Sequence, residues 1–161
     1  MCDIIKEPSE FSEREIEDFF LLAKKGGEVD LHGLVKRIKK AICLAFHYEQ
    51  DKPIGIVGLK QSNENYKNRV FRNAGVPKEA KKYSSEIGWA YTDCGHRGKG
   101  ICTILVQKIL EKFESENIYA TVRTDNAAMH KILEKTGFSR IGKPYQGRKS
   151  NYIQLFVRTK S

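Results

Sequence analysis

From Glu86 to Arg123 the chain reads strand, glycine turn, amphipathic helix, strand, and few folds accept that order. Ile87, Trp89 and Tyr91 alternate with Gly88, Ala90 and Thr92, the period of a strand. Gly95, Gly98 and Gly100 then interrupt the pattern. Ile101, Leu105, Ile109 and Phe113 follow on one helical face, with Cys102, Val106 and Leu110 beside it. Ile118–Arg123 is again apolar and β-branched. Strand, helix and strand in this order form a parallel crossover whose helix must lie on a sheet. The turn also carries chemistry. A helix start presents unpaired backbone N–H groups and the positive end of the helix dipole, and glycines let a bulky phosphate approach the chain. The stretch from Arg97 to Thr103 therefore predicts a cradle for a phosphate-bearing cofactor.

The flanks supply the rest of the architecture. Ser12 followed by Glu15 is a capping box, and Ile16, Phe19, Phe20, Leu22 and Ala23 give a helix that stops at Gly26-Gly27. Asp30 is expected to cap a second, shorter helix carrying Leu31, Leu34, Val35 and Ile38. From Ile42 the period shifts to that of strands and predicts an antiparallel hairpin turning at Glu49–Lys52 and ending at Leu59. Lys60 to Ser85 reads as a long polar connection with a helical turn at Tyr66–Arg72, of the kind that serves as a lid or binding loop. Asp125 or Asn126 caps a helix ending at Thr136-Gly137, and Phe138–Ile141 and Tyr152–Val157 are closing strands. These elements predict a single α/β (α+β) domain over residues 1–161, its mixed sheet of six or seven strands flanked by helices on both faces.

Composition narrows the function classes. With 161 residues, 40% of them hydrophobic, the chain can bury a core without staples. Cys2, Cys43, Cys94 and Cys102 have no paired spacing, so free thiols are expected. The N-terminus lacks an apolar run of signal-peptide length and nothing approaches a membrane span, which predicts a soluble, cytoplasmic protein, a monomer or homodimer. The net charge of +9 is uneven: residues 60–84 hold seven bases against two acids. Such an excess favours polyanions or is a solvated surface. Aromatics are not interleaved with the basic residues as a nucleic-acid stacking platform requires, so nucleic acid is disfavoured. Cys94-Gly-His96 is too sparse for a zinc site, and no metal is expected.

Arg97-Gly-Lys-Gly-Ile-Cys102 is neither a Walker loop nor Gly-x-Gly-x-x-Gly. It resembles the Arg-x-x-Gly-x-Gly/Ala signature of the GNAT superfamily of N-acetyltransferases, with Cys102 where that family usually has Gly or Ala. Val122–Phe138 resembles the second signature, an Asn on a helix closing at Gly-Phe, and the hairpin at 41–59 sits where the family has one. The resemblance covers roughly residues 40–158. It implies acetyl-CoA as cosubstrate and direct transfer to a primary amine, whether a small amine, a peptide or a protein N-terminus. It assigns the pantetheine to backbone groups of Ala90, Tyr91 and Thr92. The pyrophosphate falls to amides of Arg97, Gly98, Lys99, Gly100, Ile101, Cys102 and Thr103, and Asn126 contacts the cofactor arm, although that residue equally well caps its own helix.

The catalytic groups depart from the pattern. Where many family members place a proton-donating Tyr, this sequence has Leu133; Tyr119, Tyr145, Tyr152 or water are the substitutes. By resemblance to family members with a carboxylate there, Glu86 is the candidate base or water-positioning residue, with His47, His96 and His130 as alternatives of near-neutral ordinary pKa. Cys102 is expected to pack as a small hydrophobe, although a helix start can lower a thiol pKa and expose it to oxidation. A non-catalytic coenzyme A or acyl-CoA sensor is the rival reading.

Overall fold

The computed structural model describes residues 1–27 and 29–160, with Lys149 as backbone only. Seven strands form one mixed sheet in the order β1-β2-β3-β4-β5-β7-β6. In chain order these are β1 (Cys2–Lys6), α1 (Glu13–Lys25), α2 (Leu34–Lys39), β2 (Cys43–Glu49), β3 (Lys52–Gln61), α3 (Glu64–Asn73), β4 (Ser85–Thr92), α4 (Ile101–Lys112), β5 (Ile118–Arg123), α5 (Ala127–Lys135), β6 (Ser139–Gln146) and β7 (Tyr152–Arg158). The chain divides into two compact units, Met1–Gln61 with Ile87–Phe113, and Ser62–Glu86 with Glu114–Ser161.

In the first unit, β2 and β3 turn through Gln50 and Asp51, both at positive φ, with Glu49 opposite Lys52. Two consecutive left-handed residues match the twist of a two-residue hairpin. One sheet face, Leu44, Phe46, Ile56 and Trp89, packs on Phe19, Leu22, Leu34 and Ile38 from α1 and α2. Phe19 meets Phe46 and Trp89 edge-on at 5.5 and 5.8 Å. Gly58 makes room for this: a Cβ there would stand 2.6 Å from Trp89 Cε3. The opposite face takes α4, where Lys108 Nζ reaches Asp3 Oδ2 on β1 at 2.7 Å and Ile101 lies over Gly55. The α1 capping box forms as expected, Glu15 N–H donating to Ser12 Oγ at 3.1 Å and Ser12 N–H to Glu15 Oε1 at 2.9 Å.

Two elements of this unit differ from expectation. The edge strand β1, whose acidic flank hid it, pairs antiparallel with β2 from Cys2↔Tyr48 to Lys6↔Leu44. Gly33 at φ +66, not Asp30, precedes α2; the Asp30 carboxylate instead accepts from His32 N–H at 3.0 Å, an Asx turn that spends the side chain before the helix begins.

In the second unit, the first two residues of β4 pair parallel with β5, Ser85↔Ile118 and Glu86↔Tyr119, the strand direction that a crossover predicts. β5 and β6 flank β7, both antiparallel to it. The segment read as a long polar connection is folded: Asn63 caps α3 by accepting from Tyr66 N–H at 3.1 Å, and residues Pro77–Lys82 form a 3-10 turn. Val70, Phe71 and Ala74 of this segment pack with Tyr83, Tyr119 and Leu155, and Phe71 meets Tyr119 edge-on at 5.4 Å. α5 lies on the other sheet face, His130 against Phe156 at 5.0 Å. It ends as expected, Phe138 N–H donating to Leu133 O at 2.9 Å around Gly137 at φ +97, a Schellman-type stop. β6 is longer than predicted, and Gly142 is obligatory in it: a Cβ would collide with the Ala74 carbonyl that Lys143 N–H binds at 2.9 Å.

Candidate active site

The first unit holds the glycine turn. β4 enters it through Trp89, whose φ of +54 is left-handed and costly for an aromatic residue. Ser85 and Glu86, the first two residues of β4, pair parallel with β5. Ala90, Tyr91 and Thr92, at its other end, are half-buried. Arg97 ties the turn to the strand, its Nε donating to Thr92 O at 2.9 Å and its guanidinium lying 5.5 Å over the Tyr91 ring. Gly98 and Gly100 sit at φ +78 and +79, and a Cβ added to either meets nothing within 4 Å. The cradle is open on the side where side chains would stand.

Gly100 offers no side-chain cap to α4, and the first helical bond is Ile104 N–H to Gly100 O at 3.0 Å. The amides of Ile101, Cys102 and Thr103 precede that bond, and no acid occupies the first turn. Uncapped amides, open glycines and the positive helix end fit a pyrophosphate. Arg97, Gly98, Lys99 and Gly100 are exposed, Ile101 is buried, and Cys102 and Thr103 are partly buried. Burial pushes the Cys102 thiol up to about 12, so the helix start does not activate it. This favours the expected role of a small packing residue over that of a reactive thiol.

The second unit holds Glu86, and it is not a solvated strand edge: only 3% of the residue is exposed. Tyr66 Oη donates to Glu86 Oε2 at 3.3 Å, and Thr121 Oγ1 donates to the same oxygen at 3.2 Å. The Glu86 charge, with burial, drives the Tyr66 phenol far above its ordinary value. Burial first, then Glu86, does the same to Tyr119 and Tyr145. These phenols stay protonated, Tyr66 and Tyr119 as hydrogen-bond partners. Tyr119 is fully buried and shares a 2.9 Å hydrogen bond with Ser62 Oγ, whereas Tyr152 is exposed. Leu133 is fully buried in the core.

Tyr66, Thr121 and Ser62 escaped the sequence reading. Asn63 three residues before Tyr66 was the available signal, a cap that extends the expected helical turn at Tyr66–Arg72 back to Glu64. Asn126 caps α5, accepting from Met129 N–H at 3.1 Å, and is exposed. The three alternative histidines each have structural partners. His47 Nδ1 pairs with Asp3 Oδ1 at 2.5 Å, His96 Nε2 with Glu49 Oε2 at 2.8 Å, and His130 Nε2 with Arg123 O at 3.0 Å. Among the described residues no group of three or more His, Cys, Asp or Glu is placed to hold a metal ion, and no helix is long and apolar enough to cross a membrane.

Solved structures share the fold. Escherichia coli ElaA superposes with a TM-score of 0.69 at 13% identity, covering 98% of each chain. A ribosomal-protein-alanine N-acetyltransferase from Brucella melitensis gives 0.68 at 17% identity, covering 97% of this chain and 99% of its own. The NatC complex bound to Gag peptide and CoA gives 0.67 at 16% identity, covering all of both chains. No curated protein sequence matches the chain. The sequence profile of the Acetyltransferase (GNAT) family matches residues 5–138, a span that includes β4, the glycine turn and α5. The chain therefore belongs to the GNAT family of acetyltransferases.

Proposed function

We propose that this acetyltransferase moves an acetyl group from acetyl-CoA directly to a primary amine, on a small molecule, a peptide or a protein N-terminus. The observation that carries the reading is the course of β4: it starts at a buried carboxylate, Glu86, and leads into the glycine-opened start of α4. Acetyl-CoA supplies an activated thioester. Backbone groups of Ala90, Tyr91 and Thr92 hold its pantetheine, the amides from Arg97 through Thr103 hold its pyrophosphate, and Asn126 contacts the arm while capping α5. Thr92 O keeps one lone pair for this after accepting from Arg97.

Glu86 takes a proton from the incoming ammonium, directly or through one water, with Tyr66 and Thr121 fixing its orientation. Tyr119, Tyr145, Tyr152 or a water returns a proton to the departing thiolate. Positioning supplies much of the acceleration. Four free cysteines suit a reducing cytoplasm, and the enzyme works as a monomer or homodimer, as one domain and without a metal.

The test is an amine panel, covering small amines, neutral, acidic and basic peptides, with free thiol release as readout and acetyl-CoA calorimetry alongside. Binding with turnover of at least one amine is the expected result. Binding without turnover of any amine points to a coenzyme A sensor, and absence of binding removes the proposal.

A further inference from the structure

The +9 charge is not shared between the two compact units. The unit that holds Glu86 has 15 Lys and Arg against 7 Asp and Glu, while the unit that holds the glycine turn has 14 against 13. Several of these cations are committed: Lys67 to Glu64 and the Tyr83 carbonyl, Lys82 to Glu79, Arg140 to Glu134. Arg69 and Arg72 on α3 are different. Both are exposed, they stand three residues apart on one helical face, and among the described residues neither forms an ion pair.

Arg69 also lies against the ring that holds Glu86. Its guanidinium lies 5.7 Å from the centre of the Tyr66 ring, and Tyr66 Oη is 3.3 Å from Glu86 Oε2. Its charge is felt at Tyr145 as well, where it opposes the upward push of burial and of Glu86. The Tyr66 ring thus lies between a buried carboxylate and an exposed guanidinium that forms no ion pair among the described residues. An amine whose own molecule carries a negative group a few ångströms away meets both at once. A guanidinium fork reads a carboxylate bidentately and is matched to it in shape as well as charge.

We infer that Arg69 selects the acceptor, and that the acceptor class is a primary amine with a carboxylate close by, either a peptide with Asp or Glu next to its N-terminus or a free amino acid. This rests on the acetyl transfer proposed above, with Glu86 receiving the amine. Arg69 is a specificity residue and takes no proton. Arg72, one turn on, extends the positive face for longer acidic acceptors.

The experiment compares matched acceptors that differ only in the anion: an N-terminal Ser-Asp peptide against Ser-Asn, and a free amino acid against its amide. Each pair is run with the parent protein, Arg69→Gln, Arg69→Lys and Lys78→Gln, the last removing the same net charge from another exposed position. The parent is expected to favour the carboxylate member by about tenfold or more in kcat/KM. Arg69→Gln should bring the ratio toward one, Arg69→Lys should keep part of it, and Lys78→Gln should keep nearly all. The peptide and amino-acid pairs separate the two sources of carboxylate. Calorimetric binding of the same pairs is measured without acetyl-CoA. If binding discriminates through Arg69 while no acceptor is turned over, the transfer reading falls and the selectivity stands. If turnover occurs with a ratio unchanged in Arg69→Gln, or binding shows no preference, the inference is overturned. Circular dichroism of each variant confirms folding.

Discussion

In the proposed transfer Glu86 is the base, and its environment decides whether it can serve as one. A carboxylate 3% exposed pays for desolvation only if it is hydrogen-bonded, and Tyr66 and Thr121 both donate to it. Glu86→Gln keeps the shape and the capacity to accept from both hydroxyls but cannot take a proton. Thiol release should fall by about a hundred- to ten-thousandfold with acetyl-CoA affinity retained by calorimetry. Tyr66→Phe should cost less, because Thr121 still orients the same oxygen. Glu86 was legible in the sequence because a strand of clear period starts beside it. Tyr66 was not, since its contact joins residues twenty apart through a helix whose outer face is polar. The left-handed Trp89 was equally hidden: no local rule puts an aromatic residue at φ +54, and only the close approach of Gly58 lets its ring lie there.

Among the elements, α4 and β1 show how end chemistry decides behaviour. Gly100 at φ +79 begins α4 with open space around it, so a larger residue there fits sterically but strains the backbone by roughly 1–2 kcal/mol. Its side chain would also cover the amides of the first turn. Gly100→Leu should therefore lower stability modestly while acetyl-CoA binding is lost on calorimetry. β1 is held at the sheet edge by Asp3, which joins His47 of β2 and Lys108 of α4. Burial alone would raise the Asp3 carboxyl, but the hydrogen bonds from Lys108 and His47 outweigh it and hold it below its ordinary 3.8. A depressed native value means that the stabilisation is full above pH 3.8 and is lost as pH falls through the lower, native value. Urea unfolding should find Asp3→Asn less stable than the parent at neutral pH, with the gap closing on acidification below about pH 4. The glycine turn, α1 and α5 were readable because their signals are local caps and stops. β1 was not, because its five residues gain burial only from the neighbour they pair with.

At the scale of the molecule, each unit carries its own apolar cluster on the strands it owns. Phe19 is fully buried in the first, against two aromatic rings. Phe19→Ala should cost about 3–5 kcal/mol in urea unfolding, a large part of the stability of a domain this size. A mixed sheet of six or seven strands was readable from alternating periods and one crossover, whereas β1 and the placement of nearly all net charge in one unit emerged only with the fold. The chain has a single tryptophan, and it is Trp89, buried on the strand that leads to the glycine turn with the Lys60 ammonium 5.0 Å over its ring. Its emission therefore comes from one place, in the strand segment assigned to the cofactor. Without any dye or label, the protein's own fluorescence should report both the arrival of acetyl-CoA beside Ala90 and Tyr91 and, as a shift to longer wavelength, the moment that core opens to water.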